Sequence, residues 1–596
     1  MAKGLREHEI FDLLCDGNIS ELDFSDEETE DQFDNEELQQ LLNDFEQCDD
    51  QDELDETESE IISNQTSINF NVTEKKNIKW ERVPFCPPEL KLKDLEERNY
   101  PPEMPSITDY FYEYLNDDIF EKIVYYTNLY AIQNSQTRYK PTNCNEIKKF
   151  IGIHLIMGCL KYPRVRLYWE NATAVNIIIE NMSRDRFFTL RRNFHLIDNT
   201  EIPKNNTDKF IKVRPLYDAI NKKCNSLPVE RRLSVDEQMV PYKGHLQMKQ
   251  YVKGKPCPWG IKAFLLCGES GMVYNILLYQ GATTELDTST QKQFGLGASV
   301  VLHLTKHFEK NRHFLFFDNF FSTFNLFEQL QANQIYSVGT IRTNRFADPP
   351  LLTDKQLAKM GRGTAFEIST KMENCNLCMV KWYDTRSVTL VSNYIGSGQM
   401  DTVRRWDKKL KMYVNIERPE IITAYNTSMG GVDKVDQLIS YYRTFIRSKK
   451  WTLRMIVHAF DLIVVNCWIQ YKKDADHYNV NKNKRKDLLH FRMALAENLI
   501  KVGQNVPIKR RGRPRADTGD NNEVSTIPKV RKVDSSQPTD DVRKDKFDHF
   551  PEFDTKGHTS RCKNPGCKRK THIFCIKCNI HLCLDGTSNC FYNFHQ

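Results

Sequence analysis

The run His313-Phe-Leu-Phe-Phe317 constrains the fold of this chain most. Four consecutive large apolar residues without alternation read as a strand covered on both faces, as in layered α/β sheets. The run stops at Asp318-Asn319. A second strand is expected from Leu233 and Val235, which alternate with polar neighbours in Arg232–Gly244. Asp236 is expected at its end, before the breakers Pro241 and Gly244. A carboxylate at the tip of a buried strand is costly to desolvate unless something pairs with it, and a divalent metal is one such partner.

The neighbouring sequence supplies the rest of a mixed α/β sheet. Strands Gly260–Cys267 and Met272–Leu278 flank a hairpin turn, Gly268-Glu-Ser-Gly271. Helices are expected over Ala298–Phe308 and Thr323–Ala332, and a strand over Ser337–Ile341. Residues 346–418 read as a separate β-rich piece, with strands near Thr364, Met379 and Ser387. Its Cys375-Asn-Leu-Cys378 reads as two ordinary cysteines near a strand.

Residues 105–230 read as helical. Phe120, Ile123, Val124 and Thr127 follow the helical template, and a second helix is expected from Asn143, with Glu146 completing a capping-box-like pair. A third, Ser183 to Phe194, carries Phe187, Leu190 and Phe194 on one face and Arg184, Arg191 and Arg192 at its edges. Another helix is expected over 453–471.

A chain of 596 residues is too long for one hydrophobic core. Its net charge of +4 hides an asymmetry: the first sixty residues are acidic, and 509–515 and 528–532 are basic. Residues 1–80 read as a solvated acidic tail in which Ile10-Phe-Asp-Leu-Leu14 is a short docking candidate. The start of the chain lacks a basic segment followed by an apolar one, so no signal peptide is expected. The longest apolar run, Phe150–Leu160, is too short for a bilayer and is interrupted by His154, so no membrane partner is expected.

Four carboxylates stand out: Asp236, Asp318, Asp433 and Asp436. The last two share a helical face three residues apart, entered through Gly430-Gly431. Carboxylates converging from separate segments suit Mg²⁺ or Mn²⁺, and two such ions about 3.5–4 Å apart can stabilise both oxygens of an in-line phosphoryl transfer. Capping aspartates and surface ion pairs are the alternative reading. Of the 17 cysteines, six fall within 562–590. The candidate ligands there are Cys562, Cys567, His572, Cys575, Cys578, His581, Cys583, Cys590 and His595. They exceed what one tetrahedral Zn²⁺ needs, so two zinc sites in a RING- or PHD-like cross-brace are expected. Residues 504–557 read as a linker. Its Arg511-Gly512-Arg513-Pro514 core is AT-hook-like and suits the narrow minor groove of A·T-rich DNA, while the surrounding basic residues also read as a nuclear localisation signal.

The motifs Met182-Ser-Arg-Asp-Arg-Phe187, Leu233-Ser-Val-Asp-Glu-Gln-Met-Val-Pro-Tyr242, Phe317-Asp-Asn-Phe-Phe-Ser322, Val338-Gly-Thr-Ile-Arg342 and Tyr425-Asn-Thr-Ser-Met-Gly-Gly-Val-Asp-Lys-Val-Asp-Gln437 occur in this order. Together they resemble the piggyBac transposase family over about 105–500 and the cysteine-rich end. The resemblance implies an RNase H-like (DDD/DDE) catalytic core, 231–345 and 419–442, interrupted by an insertion domain at 346–418. It also implies a helical dimerisation and DNA-binding domain made of 105–230 and 443–503, and a zinc domain at 558–596 that reads transposon-end DNA. Asp236, Asp318 and Asp433 are then the catalytic metal ligands and Asp436 a fourth acidic residue. Asn319 orients the site. Trp451 stacks on a distorted base, with Arg447, Lys449 and Lys450 beside it. The implied reaction starts with attack by water. The freed 3′-hydroxyl then forms a hairpin at the transposon end, the hairpin is opened, and the end is joined at a TTAA target. The implied partners are double-stranded DNA with terminal inverted repeats and a second copy of the chain. Three functions fit: an active transposase, a domesticated DNA-binding protein without required catalysis, or a nuclear zinc-module adaptor that binds protein.

Overall fold

A computed structural model of the chain describes residues 73–252, 255, 257–370, 375–446, 448–503, 538, 540–554 and 559–596. Most of the acidic tail, Arg447 and the AT-hook-like Arg511, Gly512 and Arg513 lie outside these residues.

The described chain begins with a short strand, β1 (Trp80–Glu81), and a series of helices: α1 (Ile107–Tyr112), α2 (Asp117–Gln133), α3 (Cys144–Leu160), α4 (Asn176–Ile179), α5 (Arg184–Asn193) and α6 (Arg214–Cys224). Their starts follow side-chain capping. Ser106 forms a full capping box with Asp109, and Asn116, Asn143 and Ser183 each accept a backbone N–H three residues on. Glu146 does not close the box expected at α3. Its carboxylate takes Thr142 Oγ1 at 2.7 Å and the Arg186 guanidinium at 2.6 Å instead.

Next come β2 (Arg232–Pro241), β3 (Lys249–Tyr251), β4 (Trp259–Gly268), β5 (Val273–Leu278), α7 (Thr288–Leu304), β6 (Phe314–Phe317), α8 (Phe324–Ala332) and β7 (Tyr336–Thr340). Strands β2, β4 and β5 pair antiparallel, whereas β6 joins β2 and β7 in parallel. The resulting order β5–β4–β2–β6–β7 is that of an RNase H-like mixed sheet. The residues of β6 are all buried, as the unbroken apolar run requires. Two expectations need correction. Strand β2 does not stop at Asp236 but continues to Pro241, because β4 pairs with it along this whole length. Helix α7 starts ten residues before the expected Ala298, capped by Asp287, with a non-helical Gly295 (φ 79°) inside it.

The chain continues through α9 (Asp354–Met360), β8 (Ala365–Thr370), β9 (Cys378–Tyr383), β10 (Ser387–Ser392), β11 (Asp401–Asp407) and β12 (Met412–Arg418). The expected separate β-rich piece is not separate at β8–β10. Strand β10 pairs antiparallel with β7 from Leu390↔Thr340 to Ser392↔Val338, so the sheet runs on through β9 and β8 to β1. The reason is the edge that β7 presents once β6 has taken its other side: its backbone groups need partners. One apolar cluster spans the junction, with Phe316, Val338, Val380, Trp382 and Leu390. Only β11 and β12 leave the sheet, as a two-stranded hairpin.

Four helices complete the core assembly or flank it: α10 (Glu420–Ser428), α11 (Gly431–Tyr441), α12 (Trp451–His477) and α13 (Leu488–Lys501). Helix α12 is long and apolar enough to cross a membrane, but 89% of its apolar window is buried within the protein. Asn466 on α12 bonds both the N–H and the C=O of Val273 at 3.0 Å, which ties this helix to β5. Helix α13 packs against α3 so closely that a Cβ on Gly152 would stand 2.8 Å from the Ala496 carbonyl. The early and late helices therefore form one layer. The cysteine-rich tail starts well before residue 558. The helical turn Asp540–Arg543 and the strand Pro551–Phe553, which pairs with Ile573–Cys575, belong to it.

Candidate functional site

Register brings the first two carboxylates together. The parallel pairing of β2 with β6 ends at Val235↔Phe317, so the next residues on these adjacent strands are Asp236 and Asp318. Neighbouring strands lie about 4.8 Å apart. On the far side of β6 the pairing ends at Phe317↔Gly339, which places Thr340 beside Asp318. Thr340 Oγ1 donates to Asp318 Oδ1 at 2.7 Å, and the Asn319 N–H donates to the same oxygen at 2.5 Å. Asp236 Oδ1 accepts the Glu237 N–H at 2.8 Å.

Helix α11 brings the other two. Strand alternation puts Ser234, Asp236 and Gln238 on one face of β2. Gly431 lies against this face: a Cβ there would meet Ser234 Oγ at 2.5 Å and the Gly268 carbonyl at 2.7 Å. Gly430 has nothing within 4 Å of such a Cβ, so only the second glycine of the pair is needed for close approach. Further along, Gln238 Nε2 donates to Asp436 Oδ1 at 2.6 Å. Asp433 lies between these two anchors and is exposed. Tyr425 on α10 reports on the assembly. Burial raises its phenol pKa most, Thr340 partly offsets this, and the charges of Asp318, Asp236 and Asp433 all raise it further.

Behind Gln238 stands His458 of α12, 6% exposed, with its Nε2 2.8 Å from Gln238 Oε1. Burial pushes its pKa down to about 3, so the ring is neutral at pH 7. A neutral ring with its proton on Nε2 donates to Gln238, which in turn donates to Asp436. The donor set of the four carboxylates is all oxygen, which suits a hard divalent cation. Among the described residues no three of these carboxylates come within 4.8 Å of one another. Gln238, Thr340, Tyr425 and His458 escaped the sequence reading of the site. Gln238 had the clearest signal, lying two residues beyond Asp236 on the same strand face.

The expected DNA-contacting residues divide. Lys449 is exposed, and its carbonyl accepts the Tyr242 hydroxyl at 2.6 Å. Lys450 reaches to α5: its Nζ donates to the Arg192 carbonyl at 3.1 Å and lies 5.8 Å from the Tyr130 ring. Its charge serves the end of α5, where the last carbonyls need donors. Trp451 opens α12, half-buried, with its ring edge-on to Phe210 at 6.1 Å. Asn319 Oδ1 accepts from Arg342 Nε at 3.4 Å, and its carbonyl accepts from Arg345 at 3.0 Å.

In the tail, ligand atoms gather in two groups of four: His549, Cys575, Cys578 and His595, and Cys562, Cys567, Cys583 and Cys590. The groups interleave along the chain, as in a cross-brace. His549 is a correction to the sequence reading, which placed it in the linker. His572 and His581 are the converse correction, since both fall outside the two groups. His581 Nε2 instead meets Asp554 at 3.2 Å. Hydrogen bonds orient the two histidines of the first group. His549 Nε2 lies 2.9 Å from Asp545 and 3.1 Å from the Val542 carbonyl, leaving Nδ1 at 3.4 Å from the Cys575 sulfur. His595 Nδ1 lies 2.7 Å from the Phe591 carbonyl, leaving Nε2 at 3.4 Å from the Cys578 sulfur. Such outer partners fix the tautomer of metal-binding imidazoles. The Cys575 thiol is held low, chiefly by Cys578 and also by His595 and His549. These sets are compatible with zinc. Cys375 and Cys378 lie outside both groups, and burial raises their thiols.

The transposase IS4 family model matches residues 106–468. PiggyBac transposable element-derived protein 3 of Homo sapiens is 32% identical over 477 residues, covering 79% of this chain and 73% of that protein. PiggyBac transposable element-derived protein 2 of Homo sapiens is 29% identical over 382 residues, covering 63% of this chain and 62% of its own length. Among solved structures, a piggyBac transposase synaptic complex with hairpin DNA matches with a TM-score of 0.55 at 20% identity, over 80% of this chain and 96% of that chain, and this likeness shows a shared fold. The family match spans more than half the chain and falls on the elements that gather the carboxylates, so the chain belongs to the piggyBac-type transposase family.

Proposed function

We propose that this chain is a metal-dependent DNA transposase that cuts a repeat-flanked element out of DNA and joins it at TTAA targets. The observation that carries the reading is the parallel register beyond which Asp236 and Asp318 follow on adjacent strands, and Asp433 of α11 acts with both on the Tyr425 phenol. Asp236, Asp318 and Asp433 would hold Mg²⁺ or Mn²⁺, which when bound activates water and neutralises charge on the reacting phosphate. Thr340 and the Asn319 N–H hold the Asp318 carboxylate through one oxygen, and Gln238 holds Asp436. No side chain acts as a covalent nucleophile. The resemblance extends the reading to hairpin formation and opening at the element's ends, to pairing of two copies, and to contact of Trp451 and Lys449 with DNA. The related complex contains hairpin DNA, which supports this course for the reaction. The Zn²⁺ tail and the Arg511-Gly512-Arg513 stretch bind DNA, and the basic linker directs the chain to the nucleus.

The test is excision of a donor flanked by inverted repeats and TTAA, with wild type and Asp236→Ala compared in Mg²⁺. Excision by wild type alone supports the proposal; an uncut wild-type donor removes it. A second reading, a transposon-derived nuclear DNA-binding protein without required catalysis, is favoured by the printed names of the human relatives. It stands if the uncut donor is nevertheless bound.

A further inference from the structure

The hairpin β11–β12 has two unlike faces. Cross-strand pairing runs from Asp401↔Arg418 to Asp407↔Met412. On one face Val403, Val414 and Ile416 pack onto the apolar cluster of the sheet. The base is fixed: Arg418 grips Asp401 through two bonds of 2.9 and 2.6 Å, and Trp382 Nε1 donates to the Glu417 carbonyl at 2.9 Å. Asp407 is tied to Arg362 at 3.0 Å and accepts the Lys409 and Leu410 N–H groups, so the tip is an ordered turn.

The opposite face should be polar if it only meets water. Beside the polar Thr402, Arg404, Asn415 and Glu417 it also carries two large aromatic rings near the tip. Trp406 and Tyr413 are cross-strand partners, 50% and 53% exposed, with ring centroids 5.1 Å apart. The Arg404 guanidinium lies 4.3 Å from the Tyr413 ring centre. The turn beyond adds Lys408, Lys409 and Lys411. Two of the hairpin's three acidic residues, Asp401 and Asp407, are occupied by arginines at its base and tip. What remains is a ribbon anchored at its base and turn, with an aromatic pair beside an excess of cations. A polyanion bearing flat faces is complementary to both features, because bases stack on exposed aromatic rings while arginine and lysine meet phosphate.

We infer that the hairpin Asp401–Arg418 is a DNA-contacting ribbon: Trp406 and Tyr413 stack on unpaired or unstacked bases, and Arg404, Lys408, Lys409 and Lys411 hold the flanking phosphates. The inference rests on the reading of the chain as a DNA-acting protein and does not need that reading's catalytic part. Both rings are solvent-exposed, so their removal leaves the core intact.

Binding of the full chain to a twenty-nucleotide oligo-dT and to a twenty-base-pair duplex, each over a salt series, tests it. Trp406→Ala with Tyr413→Ala weakens oligo-dT binding by about tenfold or more and duplex binding far less, since stacking is lost only where bases are open. Lys408→Ala, Lys409→Ala and Lys411→Ala together weaken both and reduce the log–log salt slope for oligo-dT by about 2. Wild-type oligo-dT affinity in both variants overturns the inference and leaves the face to a protein partner. Failure of wild type to bind oligo-dT overturns it equally. Loss of binding in these variants alongside a wild type that excises nothing keeps this inference and removes the catalytic proposal alone.

Discussion

Asp236 and Asp318 are neighbours because β2 and β6 are hydrogen-bonded in parallel register. The cysteines of the tail have little such scaffolding, since its strands are only two or three residues long. Its apolar cluster consists largely of the ligands themselves: Cys562, Cys575, Cys578, Cys583 and Cys590 beside Ile580, Leu582, Phe591 and Phe594. In the sheet the backbone assembles the site before any ion arrives. In the tail, the two Cys/His groups have little backbone to hold them, so a metal bound there would supply much of the free energy that keeps them together. On the proposed reading, a cation would be a guest in the first region and part of the fold in the second.

The largest expected effect follows from that contrast. Strong chelation should strip the tail of metal and open it to protease, while the fragment that includes residues 105–503 stays resistant. A tail that resists protease without metal breaks the comparison. Within the tail, Cys575→Ser with Cys578→Ser, or His549→Ala alone, should lower bound zinc from about two ions per chain toward one. His572→Ala and His581→Ala should leave zinc content unchanged, and metal loss in either would return those residues to the ligand set.

At the carboxylates the effect should fall on chemistry and spare the fold. Asp236→Ala should lower excision by more than about a hundredfold, since even outer partners of a metal cost about 10- to 100-fold. Its thermal midpoint should stay near that of wild type. A large drop in midpoint would show that the carboxylate is a structural part of the sheet. A smaller and purely steric effect is expected at the glycine pair. Gly431→Ala pushes a methyl against Ser234 and the Gly268 carbonyl and should destabilise by about 1–3 kcal/mol. Gly430→Ala meets no such neighbour, so equal effects at the two positions would refute the close-approach account.

The smallest effect is one of pH. Burial lowers the folded-state pKa of His458 to about 3, below its usual 6.5. Below pH 6.5 the unfolded chain therefore binds a proton that the folded chain does not. Stability from this residue is fully present above about pH 6.5 and is lost as pH falls, by up to about 1.4 kcal/mol per pH unit. Urea midpoints at pH 7.5 and 5.5 measure the loss, and His458→Asn should reduce the slope by this residue's share. His154, which burial depresses equally, should account for a like share, and an unchanged slope in His458→Asn would refute the account for His458.

Much of the site was legible in local chemistry. The apolar run before Asp318 announced a doubly covered strand, and the i, i+3 spacing paired Asp433 with Asp436 on one helix face. Asn116, Asn143 and Ser183 marked helix starts because their side chains satisfy backbone donors within three residues. Crowded cysteines pointed to ligand groups, and the fold gathers six of them with two histidines into two sets compatible with zinc.

Tertiary structure decided what depends on distant pairing. Alternation along β2 tells which face Asp236 occupies but not which strand lies beside it, so its neighbourhood with Asp318 came only with the register. The same limit hid the run-on of the sheet from β7 into β10, which sequence patterning had read as a separate piece. His549 carried no ligand spacing and was recruited by the fold, through a strand that returns to Cys575. The aromatic face of the β11–β12 hairpin was likewise settled in space, by which side of the ribbon the sheet's apolar cluster covers. Sequence fixes chemistry and short-range geometry because those interactions span a few residues. Burial and neighbourhood are set by hydrogen bonds and contacts between segments hundreds of residues apart, as from Gln238 to Asp436.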